Sequence, residues 1–337
     1  MESRKVQSVG GGTLTVSLPR EWADTTGIAA GDSVDLHAHL DGVLVLQPGA
    51  SEADDTSHVT VPAVDADRLA AVVRAAYAAG YRTIAFDADG GLSTDQRRAL
   101  DRAVRGLPGL SVVDDDSGVR LRYVLDPAEV SVSQSVRQLA FVARSVSRDA
   151  AEALADGRAV EFGDRTSQAA RLTAMVERHF SRALSRLDEV DALGLTRPRL
   201  AELRTTAHEL NGVASDADRL AAVAGDVDPA GAFVGEVASL AGAAREAVDA
   251  GTRSVLGDAG VDAAHDALTA VEALRDDIDD LDRRLFEASN ADYRLVHAVN
   301  AVRSVADHAE RIATVSVQRG LRDDAYATPD EPPETPQ

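Results

Sequence analysis

The stretch Val271 to Arg319, VEALRDDIDDLDRRLFEASNADYRLVHAVNAVRSVADHAERIATVSVQR, decides the fold. It reads as two long helices joined by a short polar turn at Ser289 to Asp292. On the second, Leu295, Val299, Val302, Ala306, Ala309 and Ala313 recur at steps of three and four, the apolar stripe of a helix packed into a bundle. Arg303, Asp307 and Glu310 share a flanking stripe, so charges run beside the apolar seam. Such charges need partners, because burying an unpaired one is costly.

Part of this stretch has an earlier echo. VADHAERIATV (Val305 to Val315) matches VASDADRLAAV (Val213 to Val223), 92 residues upstream. Glu310 falls on Asp218 and Ile312 on Leu220, and each copy closes a run of three helix-like segments. The pattern predicts an internal duplication of a three-helix unit. The first triplet is Ser131 to Asp156, Asp164 to Val190 and Arg199 to Val223. The second is Pro229 to Leu256, Val261 to Ala288 and Asp292 to Arg319, with Asp228-Pro229 as its expected opening cap.

Working back from the helices, residues 58–127 read as a small α/β unit in the order β-α-β-α-β-β. Two helices, the second opened by the capping box Ser93-x-x-Gln96, would cover one face of a small sheet, a ferredoxin-like sandwich. Residues 50–57, rich in acids and Ser, read as a linker, and the Pro-rich residues 323–337 as a disordered tail. In residues 1–49, strand-like Arg4 to Val9 and Thr13 to Leu18 flank Gly10-Gly11-Gly12. A short helix with Pro19 at its start and Gly27 past its end follows, then a second hairpin turning at Asp41-Gly42. The predicted class is therefore multidomain α+β: a small β module (1–49), a small α/β domain (58–127) and an all-α domain of two three-helix repeats (130–322).

Composition narrows the chemistry. The chain of 337 residues carries a formal net charge of −21 and has no cysteine, and Lys5 is its only lysine. Acids spread over every segment resemble the proteome-wide habit of extreme halophiles. There is no thiolate nucleophile, no disulfide framework and no Cys-based metal site. No apolar run is long enough to span a membrane, so a cytoplasmic protein without membrane insertion is expected. Walker, dinucleotide, Gly-x-Ser-x-Gly and His-Glu-x-x-His motifs are all lacking, which points away from an enzyme. Gly10-Gly11-Gly12 opens no long helix, and in the Asp87 to Asp95 loop Arg98 stands where a calcium site needs its final Glu, so both loops are set aside. His37 and His39, two apart on a strand, share a face that is either solvated or metal-binding. His308 reads as a helix-surface or interface residue.

Two family resemblances rest on these motifs. Arg4-Lys5-Val6, Thr13-Leu14-Thr15-Val16-Ser17-Leu18-Pro19, Gly27-Ile28, Gly31-Asp32 and Asp41-Gly42 resemble the SpoVT/AbrB (MazE-like) swapped-hairpin module. That resemblance implies a homodimer of interleaved hairpins contacting DNA, with Arg4, Lys5 and Arg20 as the DNA-binding residues. The module is poor in cations: three stand against six acids in residues 1–50, a net charge of −3. The two three-helix units, with DDIDDL and VADHAERIA on adjacent helices, resemble the PhoU family of phosphate-uptake regulators. The combination with an AbrB-like module suggests an archaeal, halophilic source. PhoU proteins carry acid-x-x-x-Asp motifs that hold metal. Here Asp279 and Asp307 keep the second acids, but Arg275 and Arg303 replace the first. The matching helices of repeat one read TSQAA and NGVAS. Two guanidinium groups would repel a metal cation, so no metal or cofactor is expected. Instead Arg275, Asp279, Arg303 and Asp307 would form a charge quartet between the helices, or pair within each helix at i, i+4. Together the resemblances imply a non-enzymatic regulator of phosphate homeostasis, a DNA-binding dimer. The alternative is a protein-interaction regulator of a phosphate ABC transporter or signalling protein, in which the N-terminal module only dimerises.

Overall fold

The computed structural model describes residues 3–10, 12–40, 42–48, 58–62, 64–87, 91–115 and 118–323. The Gly11 and Asp41 turn positions, the linker, part of the Asp87 to Asp95 loop and the tail from residue 324 lie outside them. The chain divides into two compact units, 1–56 and 57–337.

In the first unit β1 (Gln7–Val9) pairs antiparallel with β2 (Thr13–Thr15), and β3 (Val34–Ala38) with β4 (Leu44–Pro48). Between the hairpins lies α1 (Arg20–Thr26), opened by Pro19 and closed by Gly27 in the left-handed region at φ 73°. Glycine takes that conformation without the Cβ penalty, which ends the helix where the sequence says it should. His39 sits just past β3 and is buried, so the solvated-face reading does not hold for it.

The second unit begins with β5 (His58–Pro62), α2 (Ala66–Ala78), β6 (Thr83–Asp87), α3 (Thr94–Arg105), β7 (Leu110–Asp115) and β8 (Gly118–Tyr123). Asp65 caps α2, and Ser93 with Gln96 forms a complete capping box on α3. The sheet order is β5-β6-β8-β7, with β5 and β6 parallel and β8 antiparallel to both its neighbours. α2 and α3 pack side by side over one face, as expected. The ferredoxin-like connectivity, however, is corrected: that fold runs β-α-β-β-α-β. Here each helix carries the chain back to start a strand parallel to the last, and only the closing hairpin inserts an antiparallel strand. Ile84, Leu121, Tyr123, Leu69, Val73 and Leu100 fill the space between sheet and helices.

A 3-10 turn (Pro127–Glu129) leads into the helical bundle: α4 (Val132–Asp156), α5 (Gly163–Ser185), α6 (Leu187–Ala192), α7 (Arg197–Ala224), α8 (Val234–Leu256), α9 (Asp262–Glu287) and α10 (Leu295–Arg322). The predicted stripe Leu295, Val299, Val302, Ala306, Ala309 and Ala313 is buried along α10. Two expected helices differ. The segment from Asp164 to Val190 breaks at Arg186, whose extended backbone lets Glu189 fold back onto α5. Asp228-Pro229 does not open α8. Asp228 accepts the amide of Ala230 in a turn, and Pro229 packs on Gly157 at the end of α4, where a Cβ would lie 2.7 Å from the Pro229 ring. α8 then starts after Phe233, held at φ 72°.

The packing repeats along the chain. α4, α5 and α7 contact one another as α8, α9 and α10 do, and the triplets meet through α7 against α10 and α4 against α8. This is the pattern of a two-fold pair, in which an element lies against its own equivalent. Asp216 and His308, 92 residues apart and in matching places of the two echoed motifs, meet across that contact.

Candidate functional site

In the first unit the described residues include no fully buried apolar side chain. Leu18, Trp22, Ala23, Ile28 and Val34 are only half-buried. Val6, Val9, Leu14, Val16, Leu36, Leu40, Val43 and Leu44 all stand exposed. Fully burying each such side chain is worth about 1.5–3 kcal/mol, and a unit of this size cannot supply the cover itself. The three candidate cations lie at one end of the first hairpin. The β1–β2 register pairs Gln7 with Thr15. Arg4 and Lys5 shortly precede that pair on one strand, and Arg20 follows it five residues after Thr15 on the other. All three are exposed. Arg20 is held by Asp24, 3.0 Å away on the next turn of α1. That is a solvent-exposed pair of the kind worth under about 1 kcal/mol.

In the bundle, the Arg/Asp positions of α9 and α10 meet across the helices rather than along them. Arg275 reaches Asp307 at 2.7 Å and Glu310 at 2.6 Å. Arg303 reaches Asp279 at 3.1 Å and Asp282 at 3.4 Å. The hydrogen bonds to Glu310 and Asp307 raise the Arg275 pKa above its ordinary value, and Arg275 in turn lowers that of Glu310. The two sets together hold two cations and four acids. Asp282 had a legible sign in the sequence: it lies three residues after Asp279 and seven after Arg275, on the same face of α9. Among the described residues no group of three or more His, Asp or Glu side chains is arranged to hold a metal ion. In repeat one the α5–α7 seam is stitched elsewhere, by Arg204 and His208 on Glu177.

Two further charged clusters escape the sequence pattern. Between the repeats, His308 Nδ1 lies 2.6 Å from Glu209 Oε2, and its Nε2 lies 3.3 Å from Asp216 Oδ2. Arg311 also holds Glu209, and Arg219 holds Asp216. Gly212 makes the room, since a Cβ there would overlap the imidazole ring. Burial is the largest single influence on His308 and pulls its pKa down, but Asp216 and Glu209 together outweigh it, so the pKa is raised. Both acids are held below the usual carboxylate range: burial alone would raise them, and their basic neighbours win.

The second cluster joins the α/β layer to α5. Arg178, fully buried, donates to the carbonyls of Tyr77 (2.7 Å), Gly80 (3.1 Å) and Tyr81 (3.0 Å), at and just past the C-terminal end of α2. Its guanidinium lies 3.8 Å over the Tyr123 ring, a stacked cation–π contact. Burial lowers the Arg178 pKa to about 10, which leaves it charged at neutral pH. Beside it Arg182 donates to Gly80 and Glu189, and His179 bridges Glu189 and the Tyr123 hydroxyl. A positive group at a helix C-terminus meets orphan carbonyls and the negative end of the dipole at once.

No curated protein and no solved structure matches the chain. One family model does match, over residues 7–54, and its description is antidote-toxin recognition MazE, bacterial antitoxin. The match spans both hairpins and Arg20 and begins after Arg4 and Lys5. The first unit of this chain is thus similar to the MazE antitoxin domain.

Proposed function

We propose that this protein is a non-enzymatic, DNA-binding transcriptional regulator that works as a homodimer, with the amino-terminal module gripping DNA and the helical domain receiving the signal. The observation that carries the proposal is the first unit itself: a MazE-like pair of hairpins with eight exposed apolar side chains and three cations at one hairpin end. A second chain would cover the apolar surface and double the cations to six, enough for a useful set of phosphate contacts. The signal follows from the resemblance of the repeats to PhoU proteins: phosphate status, relayed through a phosphate transporter or signalling partner. The charge network of α9 and α10 takes the place of a metal cluster in this reading, so it calls for no cofactor.

The second reading, a dimer clamp without DNA, is favoured by the module's net charge of −3 over residues 1–50. Chromatin immunoprecipitation from cells grown with ample and limiting phosphate separates the two. The DNA reading expects enrichment at phosphate-transport promoters that changes with phosphate, and its loss in the Arg4→Glu, Lys5→Glu, Arg20→Glu variant. Absence of enrichment in both conditions selects the clamp. Enrichment that survives the three substitutions rejects these residues as the contacts.

A further inference from the structure

The turn between α9 and α10 carries an open groove of about 730 Å³. Phe286 and Tyr293 stand on it 92% and 76% exposed, with Val296 beside them. The chain has only twelve aromatic residues, so two of them unshielded at one spot call for an explanation. Exposed apolar patches with polar rims mark interaction sites, and aromatic side chains are the commonest anchors of such interfaces.

Charge selects the occupant. Asp279, Asp282 and Asp292 line the groove. α9, which leads into it, holds nine acids against three arginines, a net charge of −6. All three groove acids are held, Asp279 and Asp282 by Arg303 and Asp292 by Arg294, and Arg283 also lines the groove, yet Asp276, Asp277 and Glu287 add exposed negative charge along α9. A second copy docking through this patch in a two-fold contact would set this acidic helix against itself, and like charges face to face suppress association. We infer that the α9–α10 tip is a docking site for a protein partner that presents a basic segment with apolar anchors. Such a segment would be an amphipathic helix whose Leu or Phe side chains pack on Phe286 and Tyr293 while Arg or Lys side chains meet the acids. The inference stands apart from the reading of the amino-terminal module, because every residue it uses lies in the second unit.

The test uses the full-length protein and a labelled peptide of about 15 residues with Leu and Phe at i, i+4 and i+7 and Arg on the flanks. Two controls replace Arg by Glu, or Leu and Phe by Ser. The basic, apolar peptide is expected to bind, with the Glu and Ser controls at least about tenfold weaker. The Phe286→Ala, Tyr293→Ala variant should lose about tenfold or more in affinity at an unchanged melting temperature, since neither ring is part of the core. Equal binding by the variant, or by either control peptide, overturns the inference. So does a change of oligomeric state on substitution, which would make the patch a contact between copies.

Discussion

At the scale of single residues, His308 is the most informative group. It sits between two carboxylates, with Glu209 and Asp216 on α7 and Arg311 and Arg219 on the flanks. Its pKa is raised in the folded protein, so its contribution is complete below the unfolded value near 6.5 and fades as pH rises through the folded value. Replacing it by Asn should cost about 1.5–3 kcal/mol at pH 6, the worth of hydrogen bonds to charged groups, and less at pH 9. Urea unfolding of both proteins across that range measures this, and a pH-independent difference would disprove it. Glu209 and Asp216 behave in the opposite sense: their pKa values are lowered, so their contribution is present above about pH 4 and lost as pH falls. The sequence offered His308 as a helix-surface or interface residue. It could not offer its partners, which lie 92 and 99 residues away and are brought close only when the repeats pack.

At the scale of elements, α9 and α10 are held by an apolar seam with a charged border. The seam was legible, because Leu274, Ile278, Leu281 and Leu285 recur at helical spacing and are buried. The border was legible in composition but not in pairing. Arg275 with Asp279 and Arg303 with Asp307 fit i, i+4 spacing equally well, and only the crossing of the helices sets Arg275 on Asp307 and Arg303 on Asp279. These side chains are about a third to two thirds exposed, so each pair should add little, about 0.2–1 kcal/mol. Arg275→Asp should lower stability by about 1 kcal/mol, through lost pairing and a new cluster of like charges. Adding Asp307→Arg should recover at least half of that, as read by thermal melts in low salt. Failure of the swap to recover anything would mean that Glu310 is the partner that matters.

At the scale of the whole molecule, the two units differ in self-sufficiency. The second buries a continuous core in its bundle and a separate one under its small sheet. The first leaves its strands bare. Introducing Glu at Leu14 and Val16 should therefore convert a dimer to a monomer in light scattering while the melting of the helical unit stays unchanged. A dimer that persists would move the dimer contact to the second unit. Among the described residues no helix is long and apolar enough to cross a membrane.

Sequence alone determined what depends on local spacing. Apolar residues at three and four fixed the buried faces of the helices, Pro19 and Gly27 bounded α1, and Ser93 with Gln96 opened α3. The repeat was visible for the same reason: a three-helix unit that packs the same way twice keeps the same pattern of small and apolar residues. Tertiary structure decided what depends on distance through space. The order β5-β6-β8-β7, the use of Pro229 as packing rather than as a helix start, and the burial of Arg178 on the carbonyls of α2 are all of this kind. A charge is committed to its partner by the desolvation of both groups, and that is a property of the packed interior which no local pattern encodes.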